Sequence, residues 1–351
     1  MVAGDIYLGG PHVADLLALE LAALGAKDAS EIAPGVLVTR ARTALLDPAF
    51  ARQVMPAARL VTLEDSKASG GANALALALL ELVSSAGAAL APEDIEVTLP
   101  EVARRGSRAL EEHPLAAARS ELADVLQKKI AGRRIKHADT PPPTGHRARV
   151  LLVEPWSAWL SVAGAPNGPA LLAWPSPFPA GRAFEQEVQS DAPSSAHRKL
   201  DEALAWLQAG PVEGDIVLDL GAAPGGWSYA ALQRGARVIA VDRAHLDEHI
   251  ARHPRLEHVR ADAFSYVPEH QPTWLLCDVI ADPARSLALV ERALTSTALK
   301  GLVVTLKLKR PVQLDVIARA RAIARCTHGF FGRSKSLAAN KLEVTMMMRR
   351  A

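Results

Sequence analysis

One glycine-rich turn and four charged side chains are the parts of this chain whose types and spacing could do chemistry. The turn is Asp219-Leu220-Gly221-Ala222-Ala223-Pro224-Gly225-Gly226-Trp227, which follows an apolar run and opens a helical one. Glycines at such a place let the backbone approach a ligand closely, and the N-terminus of the helix beyond can receive a carboxylate. The spacing D-x-G-x-x-P-G-G is not the G-x-G-x-x-G that leaves room for a pyrophosphate. Asp242, ending VIAVD, is placed to accept hydrogen bonds from ribose hydroxyls, and Asp262 in VRADAF to meet an exocyclic amine. Taken alone, each acid reads equally as a solvated residue at a strand end. The four charges are Lys199 in AHRKLDEA, Asp278 ending WLLCD, Lys307 in VVTLKLKRP and Glu343 in NKLEVTMMM. Two ammonium groups and two carboxylates can together remove the proton of a weakly acidic hydroxyl, provided nearby positive charge or desolvation depresses the pKa of one lysine. Lys309 lies two residues beyond Lys307 and therefore on the same side of a strand, so either can be the base. Lys199 also reads as a helix-surface lysine and Glu343 as a strand-edge charge. Cys277 reads as a packed thiol, and Trp227 as a ring that packs more readily than it stacks on a base.

The elements needed to bring these residues together are legible as an alternation from Lys199 onward. A helix runs through Leu207, followed by strand IVLDL, helix 227–233, strands RVIAVD, HVRAD and WLLCD, helix 283–299, strand GLVVTLKL, helix 314–325 and a terminal strand KLEVTMMMR. Such alternation predicts a parallel sheet covered on both faces. The first 85 or so residues read as short α+β units, with strand character in IYLG and GVLVTRA, helical spacing over 13–24 and a buried helix at 72–80. Beyond them come the strand-like IEVTLPE, a helix at 115–130, and two strands at 149–154 and 158–163 that predict a hairpin. The Pro- and Gly-dense WPSPFPAGRAF reads as an interdomain linker.

The turn resembles motif I of S-adenosylmethionine-dependent methyltransferases. In order and context, Lys199, Asp278, Lys307 and Glu343 match the K-D-K-E tetrad of the FtsJ-like RNA 2′-O-ribose methyltransferases. The strings PSSAHRKLDEA, VLDLGAAPGGWSY, VIAVDRA, RADAF, LLCDVIADPA, LKL and EVTMMMRR are similar to those of the ribosomal RNA large-subunit methyltransferase M family, which modifies a cytidine ribose of 23S ribosomal RNA. The resemblance covers roughly residues 174–351. It implies a Rossmann-like methyltransferase sheet with S-adenosylmethionine as cofactor, held by Gly221, Ala223, Pro224, Gly225, Gly226, Trp227, Asp242, Asp262 and Asp278, and no metal. It implies Lys307 as general base; beside it Glu343 is expected to orient the lysines and Asp278 to hold the proton network near the methyl group, with Lys309 left free to touch phosphate. One departure is visible: the family's P-S-R-S is Pro193-Ser194-Ser195-Ala196 here, so Ala196 replaces a serine cofactor contact.

By the same resemblance, the chain divides into a ferredoxin-like α+β segment over 1–88, a THUMP-like RNA-binding domain over 89–173, a linker over 174–190 and the methyltransferase domain over 191–351. Between Lys128 and Arg149 there are seven Lys or Arg residues against one acid, Asp139, with Arg104, Arg105 and Arg108 upstream. This clustering is the electrostatic footprint of a phosphate-backbone partner, with a solvated helix face as the alternative. Composition agrees with a globular chain of two or more domains: 351 residues, 49% hydrophobic and 22% charged, with a net charge of only +2. Two cysteines give no disulfide framework or metal cluster, and the acid-bearing N-terminus does not read as a secretion signal, so a cytoplasmic protein without a membrane segment is expected. The expected function is ribose methylation of ribosomal RNA, without an obligate protein partner. Ribose methylation of another RNA, such as transfer RNA, and a non-catalytic RNA-binding assembly factor are its rivals. The segment Cys277-Asp278-Val279-Ile280-Ala281-Asp282-Pro283 lacks the N/D-P-P-Y pattern of amine methylases, which disfavours base methylation.

Overall fold

A computed structural model of the chain describes residues 3–41, 46–63, 68–88, 90, 95–100, 113–134, 146–164, 191–310, 312–337 and 340–351. The chain separates into two units, Met1–Ala183 and Phe184–Ala351. The expected linker, most of the basic run and Arg104, Arg105 and Arg108 lie outside the described residues. No described helix is long and apolar enough to cross a membrane.

The first unit is built on one seven-stranded sheet in the order β2-β3-β1-β4-β7-β6-β5. Its strands are β1 (Ala3–Leu8), β2 (Ser30–Ala33), β3 (Val36–Arg40), β4 (Gln53–Thr62), β5 (Ile95–Thr98), β6 (His146–Glu154) and β7 (Ser157–Gly164). The helices are α1 (Ala14–Ala23), α2 (Ala68–Ser85) and α3 (Ala116–Arg134). β6 and β7 form the expected antiparallel hairpin. The expected boundary at residue 88 falls between α2 and β5, and strands from both sides of it share this sheet through the pairing of β4 with β7. β4 is absent from the sequence reading because Pro56 sits inside it, and proline ordinarily excludes a central strand. The structure accommodates the proline at an irregularity opposite Asp5, where Ala57 takes φ +46° and its amide donates to the Asp5 carboxylate at 2.8 Å. Arg149, counted in the basic run, is buried in β6 with its Nε donating to Glu96 at 3.0 Å, so it is part of the packing and not of a phosphate-facing surface.

The second unit has a seven-stranded sheet in the order β10-β9-β8-β11-β12-β14-β13. Its strands are β8 (Ile216–Leu220), β9 (Arg237–Val241), β10 (Leu256–Val259), β11 (Trp274–Cys277), β12 (Gly301–Lys307), β13 (Phe330–Lys335) and β14 (Glu343–Arg350). Helices α4 (His197–Leu207), α5 (Gly226–Gln233), α6 (Glu248–Ala251), α7 (Pro283–Ala293) and α8 (Leu314–Cys326) accompany it. The strands are unbroken apolar strings because both faces are covered and successive residues enter opposite cores. Leu276, Val303 and Met347 join the cluster that packs on α4 and α5. Their chain neighbours Leu275, Val304, Met346 and Met348 join the cluster that packs on α7 and α8. Truncating any one of these to alanine should cost about 2–5 kcal/mol.

The sheet is not wholly parallel, as the alternation led one to expect. β14 runs antiparallel to both β12 and β13. Only residues 336–342 join β13 to β14, too few for the helical crossover that a parallel return requires. Strand order reverses at β8, which lies between β9 and β11, so the ligand crevice of such a sheet opens above the C-terminal ends of β8 and β11.

Candidate active site

The glycine turn leaves β8 at this crevice. Gly221 has φ +77°, and a Cβ there would stand 2.6 Å from Val279 Cγ2. Gly225 has φ +118°, a backbone state that side-chain-bearing residues rarely adopt. Gly226 begins α5, and a Cβ on it would run into Ser194 Oγ. The turn is thus a bare-backbone cradle whose conformation at Gly221 and Gly225 favours glycine.

Carboxylates hold the cradle. Asp242 follows β9 and accepts from the Ala223 amide at 3.0 Å through Oδ2 and from the Ala244 amide at 2.9 Å through Oδ1, tying the two strand ends together. Asp219 is buried in β8 and hydrogen-bonds Ser228 Oγ at 2.7 Å. Burial pushes its carboxyl up to about 7, with the negative charge of Asp278 and Asp242 adding to the rise and the Ser228 bond opposing it. Asp262 accepts from the Phe264 and Ser265 amides at 3.0 and 3.1 Å and from Arg243 at 2.6 Å. The Phe264 amide, then the Ser265 amide and the charges of Arg243 and Arg285, hold its carboxyl below the usual range.

Residues 194–197 form the other lip. The Trp227 ring is buried, in line with its packing role, and its Nε1 donates to the Ala196 carbonyl at 2.9 Å. Ala196 stands at the N-cap of α4 and supplies no cap hydrogen bond, which a serine there could make. His197 Nδ1 instead donates to the Ser194 carbonyl at 2.7 Å and steadies the same turn. The start of the helix that carries Lys199 is therefore fastened to the cofactor-type loop by a tryptophan and a histidine.

Lys199 from the first turn of α4, Asp278 just past β11, Lys307 at the end of β12 and Glu343 at the start of β14 converge. Lys307 Nζ donates to Asp278 Oδ1 at 2.6 Å and to Glu343 Oε1 at 2.9 Å. Lys199 Nζ donates to Glu343 Oε2 at 2.7 Å and to Asp278 Oδ2 at 3.5 Å. Each carboxylate bridges both lysines, giving a closed, neutral ring of alternating charge whose side chains are 13% to 18% exposed. The pairing of β12 with β14 sets half of it, because Lys307 and Glu343 are direct cross-strand partners. Lys309 lies beyond the end of β12, exposed and outside the ring.

One expectation fails here. Burial does press the Lys307 pKa down, but the carboxylates of Asp278 and Glu343 outweigh it and raise the value above that of an ordinary lysine. Burial likewise presses the Glu343 pKa up, and Lys199 and Lys307 reverse it, leaving the carboxyl below its usual range. In this resting ring both groups are held charged. Cys277 is packed beneath Asp278, its thiol pushed up to about 12 by burial.

Sequence reasoning missed Asn340, which is fully buried beside Glu343. With its amide oriented so that Oδ1 accepts from Thr345 Oγ1 at 3.1 Å and from Leu337 N at 3.2 Å, Nδ2 donates to Glu343 Oε2 at 3.2 Å. Its position three residues before Glu343 carries no motif that would have marked it.

The profile of the FtsJ-like methyltransferases matches residues 193–326, which hold the turn, both lip segments, Lys199, Asp278 and Lys307. A protein of Alkalilimnicola ehrlichii named ribosomal RNA large subunit methyltransferase M is 34% identical over 53% of this chain and 52% of its own length. One of the same name from Pseudomonas savastanoi pv. phaseolicola is 33% identical over 55% of each chain. Another, from Thauera aminoaromatica, is 28% identical over 86% of this chain and 79% of its own. The chain thus spans about half the length of the first and second of these relatives and over three quarters of the third. Residues 193–326 constitute an FtsJ-like methyltransferase domain.

Proposed function

We propose that this protein is an S-adenosylmethionine-dependent RNA 2′-O-ribose methyltransferase acting on ribosomal RNA, at a cytidine of the large-subunit 23S species. The observation that carries the reading is the closed Lys199–Asp278–Lys307–Glu343 ring beside the glycine cradle. The name shared by the relatives from three bacterial sources supports the choice of ribosomal RNA.

The residues present fit S-adenosylmethionine. The bare backbone of Gly221 and Gly225 gives close approach, and the carboxylates of Asp242 and Asp278 flank the cradle as partners for a vicinal diol and for positive charge. Gly221, Ala223, Pro224, Gly225 and Gly226 would hold it by backbone, Asp242 by its ribose, Asp262 near its base and Asp278 near its charged end. When bound, it supplies an electrophilic methyl group that needs no covalent catalysis. What the protein must add is alignment of a ribose 2′-oxygen with that methyl and removal of the hydroxyl proton. Lys307 takes the proton at Nζ. To do so it must first be relieved of the carboxylates that keep it charged. Positive charge brought to Asp278 weakens that carboxylate's hold on Lys307, and burial, which favours the neutral amine, then acts with less opposition. Glu343 stays ionised between the lysines, and Lys199 keeps it so. In the first unit the proposed THUMP-like segment, with its surrounding basic residues, holds the RNA.

The deciding experiment is mass mapping of 23S ribosomal RNA from a deletion strain, complemented with the wild-type gene or with Lys307→Ala. The reading requires one ribose methylation to vanish on deletion, return with the wild type and stay absent with the variant. Loss of a base methylation, or of a mark on transfer RNA alone, would overturn it.

A further inference from the structure

The charge ring is neutral, yet a ribose that reaches Lys307 brings a phosphate with it, because the 2′-hydroxyl is vicinal to the oxygen of the 3′-phosphodiester. Some cation outside the ring must meet that anion. The pairing of β12 with β14 points to it. Lys307 and Glu343 are opposed, and the ladder continues one step further through the Leu308 amide, which donates to the Leu342 carbonyl at 3.0 Å. Counted on from there, the same register reaches Lys309 and Lys341, which lie just beyond the ends of β12 and β14. Leu308 is buried, whereas Lys309 and Lys341, each two residues along the chain from a member of the ring, are exposed. Among the described residues neither ammonium group has an ion-pair or hydrogen-bond acceptor. Two cations carried on adjoining strand ends repel each other and favour an anion between them.

A second observation lies on the neighbouring strand. β11 adjoins β12, and Ile280, two residues past Asp278, is 90% exposed. An isoleucine so fully in water gains nothing from folding, and beside a charge ring it offers an apolar contact to a planar ligand. Along one rim of the sheet, the ends of β11, β12 and β14 therefore carry an apolar surface, the ring and a pair of uncompensated cations.

We infer that Ile280, Lys309 and Lys341 are the seat of the target nucleotide: the two lysines hold the phosphodiester 3′ to the ribose, and Ile280 packs against the base. The inference rests on the ribose-methylation reading and adds the substrate contacts to it. The same two charges favour the reaction, since neutralising the adjacent phosphate eases ionisation of the 2′-hydroxyl.

The test uses the full chain and an unmodified 23S ribosomal RNA transcript, with filter binding at several salt concentrations and methyl transfer at varied RNA concentration. For Lys309→Ala/Lys341→Ala the slope of log affinity against log salt should become shallower by roughly 0.7, the value for one phosphate contact on a single strand. The wild type's advantage over the variant then shrinks about 2.6-fold between 50 and 200 mM salt. KM for RNA should rise while kcat at saturating RNA is kept. Ile280→Ala should raise KM and leave the salt slope alone. Arg292→Ala, at the far end of α7, should change neither. A double lysine variant with the wild-type slope and KM overturns the seat while leaving the methylation reading intact. A wild-type protein that transfers no methyl group to ribose overturns the reading itself.

Discussion

Replacing Glu343 by glutamine removes one anion from the ring and nearly nothing else. Its oxygens lie 2.9 Å from Lys307 Nζ and 2.7 Å from Lys199 Nζ, each contact representing an attraction of about 6 kcal/mol at an effective dielectric constant near 20. Much of this is offset because the variant no longer strips a carboxylate of water. What remains is a pair of ammonium groups sharing only Asp278, and a glutamine amide that can accept from one lysine but must point its NH2 group at the other. Breaking a buried ion pair from one side costs about 3–5 kcal/mol. For a unit the size of 184–351 this corresponds to a fall in Tm of roughly 6–20 °C. The pH dependence has a definite sign. Glu343, whose folded pKa is depressed, contributes stability that is complete above its unfolded value near ~4.3 and is lost as pH falls through the folded value. Lys307, whose folded pKa is raised, contributes stability that is complete below its unfolded value near ~10.4 and is lost as pH rises through the folded value. The gap in Tm between wild type and Glu343→Gln should therefore be flat through the neutral range and close in acid and in strong base. Calorimetric scans of both proteins from acid to alkaline pH measure it. A variant within about 2 °C of wild type at neutral pH would mean that the ring stores no net energy, and the account of its electrostatics would be wrong.

Lys307→Ala should lower single-turnover methyl transfer by about 10²–10⁴-fold while S-adenosylmethionine binding by calorimetry stays near wild type. Wild-type turnover would remove Lys307 from the reaction. Asp242→Ala should weaken cofactor binding by about 10- to 100-fold, since it loses a charged acceptor and releases the Ala223 amide, with kcat at saturating cofactor less affected; unchanged affinity in the same titration would refute its role in the cradle. Asn340→Ala should destabilise the unit by about 1–3 kcal/mol in denaturant unfolding, because the Leu337 amide loses its side-chain acceptor and Glu343 Oε2 keeps only Lys199 as donor. An unfolding midpoint equal to wild type would show that the amide contributes nothing there.

Much of the second unit was legible because the physics there is local. A short string such as WLLC or VTMMM, bounded by turn residues, reads as a strand buried on both faces, and a D-x-G-x-x-P-G-G turn between strand and helix places a ligand without reference to the rest of the chain. The illegible features depend on partners far away in sequence. FFGRSK has no apolar run, and becomes β13 because β14 offers it an edge. Pro56 hides β4 until Asp5 is seen capping the irregularity. Arg149 reads as part of a basic run, and only the parallel pairing of β5 with β6 brings Glu96 alongside it. The pKa of Lys307 is the sharpest case. Sequence placed the lysine in a crevice, where desolvation lowers a pKa, but the sign is decided by two carboxylates 29 and 36 residues away, within 2.9 Å of its nitrogen.

That reversal bears on how such a site can work. A lysine kept neutral in the resting protein would be a ready base, but it would leave two buried carboxylates sharing one ammonium, an arrangement that burial penalises heavily. The neutral ring avoids this penalty and holds four segments of chain in place; on the proposed mechanism its cost is a base that is protonated until something disturbs the ring. The disturbance needed is positive charge at Asp278, the carboxylate that sits both against Lys307 and beside the glycine cradle. On the proposed mechanism, Asp278 is the link between filling the cradle and freeing the base. The coupling predicts that substitutions at Asp278 affect cofactor affinity and the pH dependence of transfer together, whereas those at Glu343 affect the second alone.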